Sequence, residues 1–280
     1  MAQVNPLWAF GSALAYVGLV ILVDSLRFDA AGRMVLAPRQ PFARWAQVVA
    51  VSRAFLYALP ASAGADGAIW FKLRRHGWSH ASCVQVLLMT RLLGVGVWSL
   101  AAAFSLFACP STADMLVRAP AWLRQPLTWA LIGLVVLGLA GAAPKLLSKF
   151  KQQGLDSFSR KHLLVGVGLA ILSALVNAGG VLAAARAMHI SMTLGLALGF
   201  MAFFNFAMIL PISLGGFGLQ EALLLTLGTG LGCSAPDLLA CSAIVHLQRL
   251  LLALVGGVVL LMERGRPQSS AVQGTGFSHT

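Results

Sequence analysis

Arg91 and Arg249 each interrupt a long apolar run. An ionised side chain at membrane depth costs at least about 2.5–3.5 kcal/mol, so each must face a partner, a cavity or the headgroup layer. Both follow a near-copy of one phrase. The first copy is Leu59-Pro60-Ala61-Ser62-Ala63-Gly64 with Gly67 beyond it, and the second is Leu210-Pro211-Ile212-Ser213-Leu214-Gly215 with Gly216 and Gly218. A Gly-x-Ser turn then precedes each arginine-bearing stretch: Gly77-Trp78-Ser79 and Gly232-Cys233-Ser234. Pro60 and Pro211 are 151 residues apart and Arg91 and Arg249 are 158 apart. That near-constant offset suggests an internal duplication, and paired halves with broken helices are a common plan for transporters built around a central site.

The chemistry such a site offers is anion binding. Pro60 and Pro211 each remove a backbone donor and end the preceding helix. Lipid supplies no partner for the freed carbonyls, so protein or water in a cavity must. Gly64 and Gly67 in one copy, and Gly215, Gly216 and Gly218 in the other, permit the turns. Helices restarting at about 67 and 218 would aim N-terminal amides at the break, where Ser62 and Ser213 stand beside a position suited to phosphate or carboxylate. Glu221 falls just after Gly218, as a first-turn acid, a counter-ion for Arg249 or Arg91, or a protonation site; Asp66 takes the matching place in the first copy. Lys72 follows on the same helix, where it can meet headgroups. The plainer alternatives are an ordinary Pro-Gly interhelical turn, and arginines that snorkel or pair structurally.

Around these residues the chain is 59% hydrophobic and 10% charged, with a mean hydropathy of +0.84. Soluble domains carry about 25% charged residues, and the apolar runs here are continuous rather than alternating, so the fold class is all-α and polytopic. About eight hydrophobic segments are expected, at 7–23, 43–61, 82–107, 126–144, 163–184, 191–210, 216–232 and 238–262. The seventh is short enough to be re-entrant. They form a single transmembrane domain over 1–262, with repeat halves at roughly 43–107 and 191–262 and a disordered tail at 263–280. The two arginine helices lie five segments apart, which makes the repeat inverted if every segment crosses. Basic connections at 145–162, at 70–80 and after Arg264 put both termini in the cytoplasm. The loop at 24–44, with Arg27, Arg33, Arg39 and Arg44, disagrees with that scheme.

Several functions are disfavoured. The net charge of +12 is spread over short connections, without the clustered basic face and aromatic platforms of a nucleic-acid binder. Cys83, Cys109, Cys233 and Cys241 lack metal spacing, so no metal is expected, and no cofactor motif is present. Ser62 and Ser213 have no His–Asp arrangement, so no catalytic residue is assigned.

Both phrases are familiar. The blocks from Leu59 through Asp66, Leu73-Arg74-Arg75-His76-Gly77-Trp78-Ser79 and Arg91-Leu92-Leu93-Gly94, then Leu210 through Glu221, Gly232 and Arg249, resemble the membrane domain of lysylphosphatidylglycerol synthases. Stand-alone members of that family are flippase-like integral membrane proteins. The likeness covers most of 56–262, while residues 1–55 match only in character. Ile69, Gln220 and Thr90 stand where the family commonly has arginine, arginine and an acid, which thins the expected charge set. The resemblance implies a bacterial cytoplasmic-membrane protein that handles lipid, with no separate soluble synthase domain. The expected function is binding, and perhaps flipping, of an anionic lipid or lipid-linked intermediate. A membrane-embedded lipid-modifying enzyme and a non-catalytic partner of a lipid-biosynthesis enzyme are the competing classes.

Overall fold

The computed structural model describes residues 6–35, 38–58, 63–109, 160–208 and 215–264, and among them every regular element is an α-helix. We number them α1 (Pro6–Met34), α2 (Phe42–Ala58), α3 (Ala63–Arg75), α4 (His80–Ala108), α5 (Arg160–Ala187), α6 (Leu194–Ala207), α7 (Leu219–Leu231) and α8 (Ala235–Arg264). Four of them, α1, α4, α5 and α8, are long and apolar enough to cross a membrane. Leu7, Leu100, Phe107, Leu164, Leu254 and Leu261 stand exposed on these four helices, an outer surface suited to lipid rather than water. Helices α3 and α7, at 13 residues each, are about 20 Å long and fall short of a hydrocarbon core of about 30 Å.

The lengths run 29, 17, 13 and 29 residues over α1–α4, and 28, 14, 13 and 30 over α5–α8. Packing follows the same order. When α1–α4 are exchanged for α5–α8, the α1/α2, α2/α3 and α3/α4 packings map onto α5/α6, α6/α7 and α7/α8. The α4/α6 seam maps onto α8/α2, the α1/α4 and α1/α8 packings map onto α5/α8 and α5/α4, and α1/α5 maps onto itself. Two buried clusters centre on different groups of helices, and each draws on the other group. Phe28, Trp45, Ile69, Leu73, Trp78 and Val86 gather with Ala170 and Ala174 of α5 in the first, and Leu196, Phe200, Leu223, Leu224 and Leu238 gather with Ala9 of α1 in the second. Trp98 packs against both.

Local signals explain where the long helices start. Gly77 and Gly232 adopt φ of +81° and +69°, a region open to glycine at no steric cost. Two residues on, Ser79 Oγ accepts from the Ser82 amide (3.1 Å), and Ser234 Oγ accepts from the Asp237 amide (3.3 Å) while donating to the Asp237 carboxylate (2.6 Å). Each satisfies an amide that a helix start leaves orphaned.

Several sequence expectations are corrected. The first span does not end at 23: α1 runs on to Met34, so most of the expected 24–44 loop is helix. Arg33 pairs with Asp29 at 2.7 Å one turn away, and Asp24 meets Arg53 of α2. The basic 70–80 connection consists of the last turns of α3, on which Lys72 was expected, and the turn that follows it. Lys72, Arg74 and Arg75 sit in the last turn of α3 and Asp66 in its first, the distribution a helix dipole favours. The helix therefore starts at Ala63, not near 67, and Gly64 and Gly67 lie within it without positive φ. Helix α8 includes Glu263, placed in the tail by the sequence reading, because that carboxylate pairs with buried Lys72. The segment 126–144, the 145–159 part of its basic connection and residues 265–280 lie outside the described residues, as do Leu59-Pro60-Ala61-Ser62 and 209–214 with Pro211 and Ser213.

Candidate functional site

Between the two cores lies a cavity of about 220 Å³, walled by α1, α2, α3 and α4 from one half and α5, α6 and α8 from the other. Four arginines line it: Arg27, Arg53, Arg91 and Arg249. Each reaches it from a different helix and with different support.

Arg91, on α4, donates from Nη2 and Nε to one oxygen of Asp66, at 2.6 and 3.2 Å. Asp66 stands in the first turn of α3, so the short helix delivers a carboxylate to the arginine of the long one. Both side chains keep solvent access, at 42% and 34%. Arg249, on α8, reaches the start of α7 and finds an amide. Its Nη1 donates to Gln220 Oε1 at 2.7 Å, its Nη2 lies 3.8 Å from Met201 Sδ, and its guanidinium stands 4.3 Å over the Phe204 ring. Gln220 is itself fully buried and donates to the Ser242 carbonyl and hydroxyl, at 3.1 and 2.8 Å. Gln220 is thus the residue that positions Arg249.

Glu221 is not the counter-ion of Arg249 or Arg91. One of its oxygens accepts from the Gly218 amide (2.7 Å), which closes the start of α7. The other accepts from Ser242 Oγ and lies 2.8 Å from His246 Nε2, and the His246 ring stacks on Phe217 at 4.1 Å. The Gly218 bond is one turn away, and the packing of α7 on α8 brings Ser242 and His246 to the other oxygen, whereas Arg249 lines the cavity. Gly215, Gly216 and Gly218 all adopt positive φ on the approach to α7. Side chains there would strike Tyr57 at Gly215 and Phe204 at Gly216.

The remaining two arginines were missed by the sequence reading. Arg53 on α2 pairs with Asp24, 1% exposed on α1, and Arg27 lies 3.6 Å from the same carboxylate. Ser173 on α5 donates to the other face of Asp24 at 2.9 Å. Close by, Tyr16 donates to Asn177 at 3.0 Å, which ties α1 to α5 again. Arg53 carried a usable signal, since it interrupts the apolar run from Val48 to Tyr57 as Arg91 and Arg249 interrupt theirs. Asp24 and Arg27 carried none, being assigned to a loop.

Lys72 does not face the cavity. It is buried against Glu263 of α8, which locks α3 to the end of the last helix. Pro60, Ser62, Pro211 and Ser213 lie outside the described residues, so the geometry of the breaks themselves stays an expectation. Among the described residues no cluster of His, Cys, Asp and Glu has metal-binding geometry.

The model of the family described as lysylphosphatidylglycerol synthase TM region matches residues 1–257 of the 280-residue chain. The match reaches the first residue, where the sequence reading found likeness of character alone. No curated protein and no solved structure matches the chain.

Proposed function

Because this chain belongs to the lysylphosphatidylglycerol synthase transmembrane-region family, we propose that it binds an anionic lipid or lipid-linked intermediate in the central cavity and flips its headgroup across the bilayer. The observation that carries the reading is the convergence of Arg27, Arg53, Arg91 and Arg249 on one cavity walled by helices from both ends of the chain. Guanidinium groups bind phosphate through short, charge-assisted and often bidentate hydrogen bonds. Holding four of them among membrane helices is costly, which favours an anionic occupant. Asp66 and Gln220 orient the arginines of the two long helices, and Glu221 with His246 and Ser242 holds α7 against α8. The paired helix lengths and packings support reading α1–α4 and α5–α8 as repeats that rock against each other around the site. The breaks at Pro60 and Pro211, with Ser62 and Ser213, would then flank the headgroup path. The setting is a bacterial cytoplasmic membrane with the C-terminus inside, beside an enzyme of lipid biosynthesis.

The test is native mass spectrometry of the purified protein with its co-purifying lipids, wild type beside Arg249→Ala, followed by a flipping assay in liposomes. One anionic lipid class should be retained by the wild type and lost by the variant. Equal and unselective lipid in both would make Arg249 a structural residue and overturn the proposal.

A further inference from the structure

We infer that the headgroup held in this cavity carries two negative charges, as a phosphomonoester or a diphosphate does; the inference rests on the cavity-binding reading above. The observation is the charge balance of the cavity wall. Arg27 and Arg53 share the single carboxylate of Asp24, and Arg91 has Asp66. Arg249 has no carboxylate in ion-pair range among the described residues; a neutral amide and an aromatic face hold it. Among the described residues four guanidinium groups thus meet two carboxylates, which leaves two positive charges uncompensated there. Glu221 does not correct the balance, because it is absent from the cavity wall and bonded to Gly218, Ser242 and His246. Spare donor capacity points the same way, since Arg27 Nε is buried without a hydrogen-bond partner.

Charge is discriminated strongly here, because the dielectric between membrane helices is low and unneutralised charge is penalised. A phosphomonoester carries about −1.5 to −2 at neutral pH, and a diphosphate is at least as charged. Either matches the surplus. A phosphodiester headgroup with one charge leaves a guanidinium bare. A lysylated glycerophosphate headgroup, with two ammonium groups and one phosphate, adds repulsion. Size limits what enters. At about 220 Å³ the cavity is smaller than the roughly 300–1,000 Å³ of sites that enclose a whole small molecule. It therefore fits a compact headgroup whose chain leaves along the apolar wall formed by Val95, Trp98 and Leu252.

The experiment measures binding of three lipids with identical acyl chains to the full chain in nanodiscs: phosphatidic acid, phosphatidylglycerol and lysylphosphatidylglycerol. Phosphatidic acid should bind at least about tenfold more tightly than phosphatidylglycerol, with the lysylated lipid weakest. Arg249→Gln should bring the first two together, while Arg249→Lys, which keeps the charge, should preserve the preference and guards against a folding artefact. Equal binding of phosphatidic acid and phosphatidylglycerol by the wild type, both weakened by Arg249→Gln, would overturn the two-charge inference and leave anionic-lipid binding standing. Binding of every lipid unaffected by Arg249→Gln would overturn the cavity reading itself. Inorganic pyrophosphate, added as competitor, separates the sources. Displacement of phosphatidic acid at comparable concentration would make a free diphosphate the ligand, and no displacement would make the lipid tail part of recognition.

Discussion

Arg91 and Arg249 both line the cavity from the middle of a long helix, α4 and α8, yet their charges are handled in opposite ways. Arg91 meets a carboxylate on the first turn of α3, in a pair that solvent still reaches. Arg249 meets an amide on the first turn of α7 and a phenyl face, with its supporting Gln220 fully buried. A similar contrast runs through α1 and α5. The first half brings Asp24, Arg27 and Arg53 together, whereas α5 contributes the neutral Ser173 and Asn177. Similar helix lengths and packings therefore carry a lopsided electrostatic load. Backbone plan and site charge are separable: the first follows from element lengths and caps, the second from a handful of polar residues, Asp24, Arg27 and Arg53 within helices and Asp66 and Gln220 at helix starts.

The largest expected effect breaks the comparison at its buried end. Asp24→Asn should leave two arginines without their carboxylate at a site 1% exposed, destabilising the protein by about 3–5 kcal/mol. Thermal unfolding in a mild detergent checks this. Asp66→Asn, at the solvent-reached pair, should change stability by only about 0.2–1 kcal/mol. Similar losses for both would mean that burial does not distinguish the two carboxylates.

The two equivalent seams, α2/α8 and α4/α6, come next. A Cβ at Gly256 would lie 1.9 Å from the Ala50 carbonyl oxygen, a backbone atom that cannot swing away. Gly256→Ala should therefore cost about 3 kcal/mol. A Cβ at Gly195 would meet the Cys109 sulfur at 2.6 Å, and that side chain can rotate. Gly195→Ala should cost about 1 kcal/mol, at the low end for overpacking. The same unfolding assay ranks the pair, and a reversed order would show that α4/α6 is the tighter seam.

The smallest effect sharpens the difference between Gln220 and Asp66. Gln220→Glu would supply Arg249 with the carboxylate that Arg91 already has. Stability should change by about 1 kcal/mol or less, because a buried pair regains little beyond its desolvation. Retention of anionic lipid should nonetheless fall, and native mass spectrometry reads that directly. Undiminished retention would remove Arg249's free charge from the binding argument.

Much of this was legible in the residues alone. The polytopic helical class, the Gly-x-Ser starts of α4 and α8 and the shortness of α7 all follow from apolar run length, glycine placement and cap chemistry, which are local. The sequence also singled out Gln220 as the departure from the family's pattern, without indicating that it would hold Arg249. Tertiary structure decided which charges meet. Asp24 could be recognised as a buried partner only once α1 was seen to continue past 23 and α2 to lie beside it. Lys72 was taken for a headgroup contact until α8 brought Glu263 over it. Glu221, read as a counter-ion, turned to His246 and Ser242 because α7 and α8 pack together. Hydropathy and caps act within a few residues along the chain, so the sequence by itself determined the helical class and the capped starts of α4 and α8, while the extent of α1 and the start of α3 were set by the packed bundle. Coulomb and hydrogen-bond partners are chosen across tens to hundreds of residues, so only the packed bundle decided where each charge would be spent.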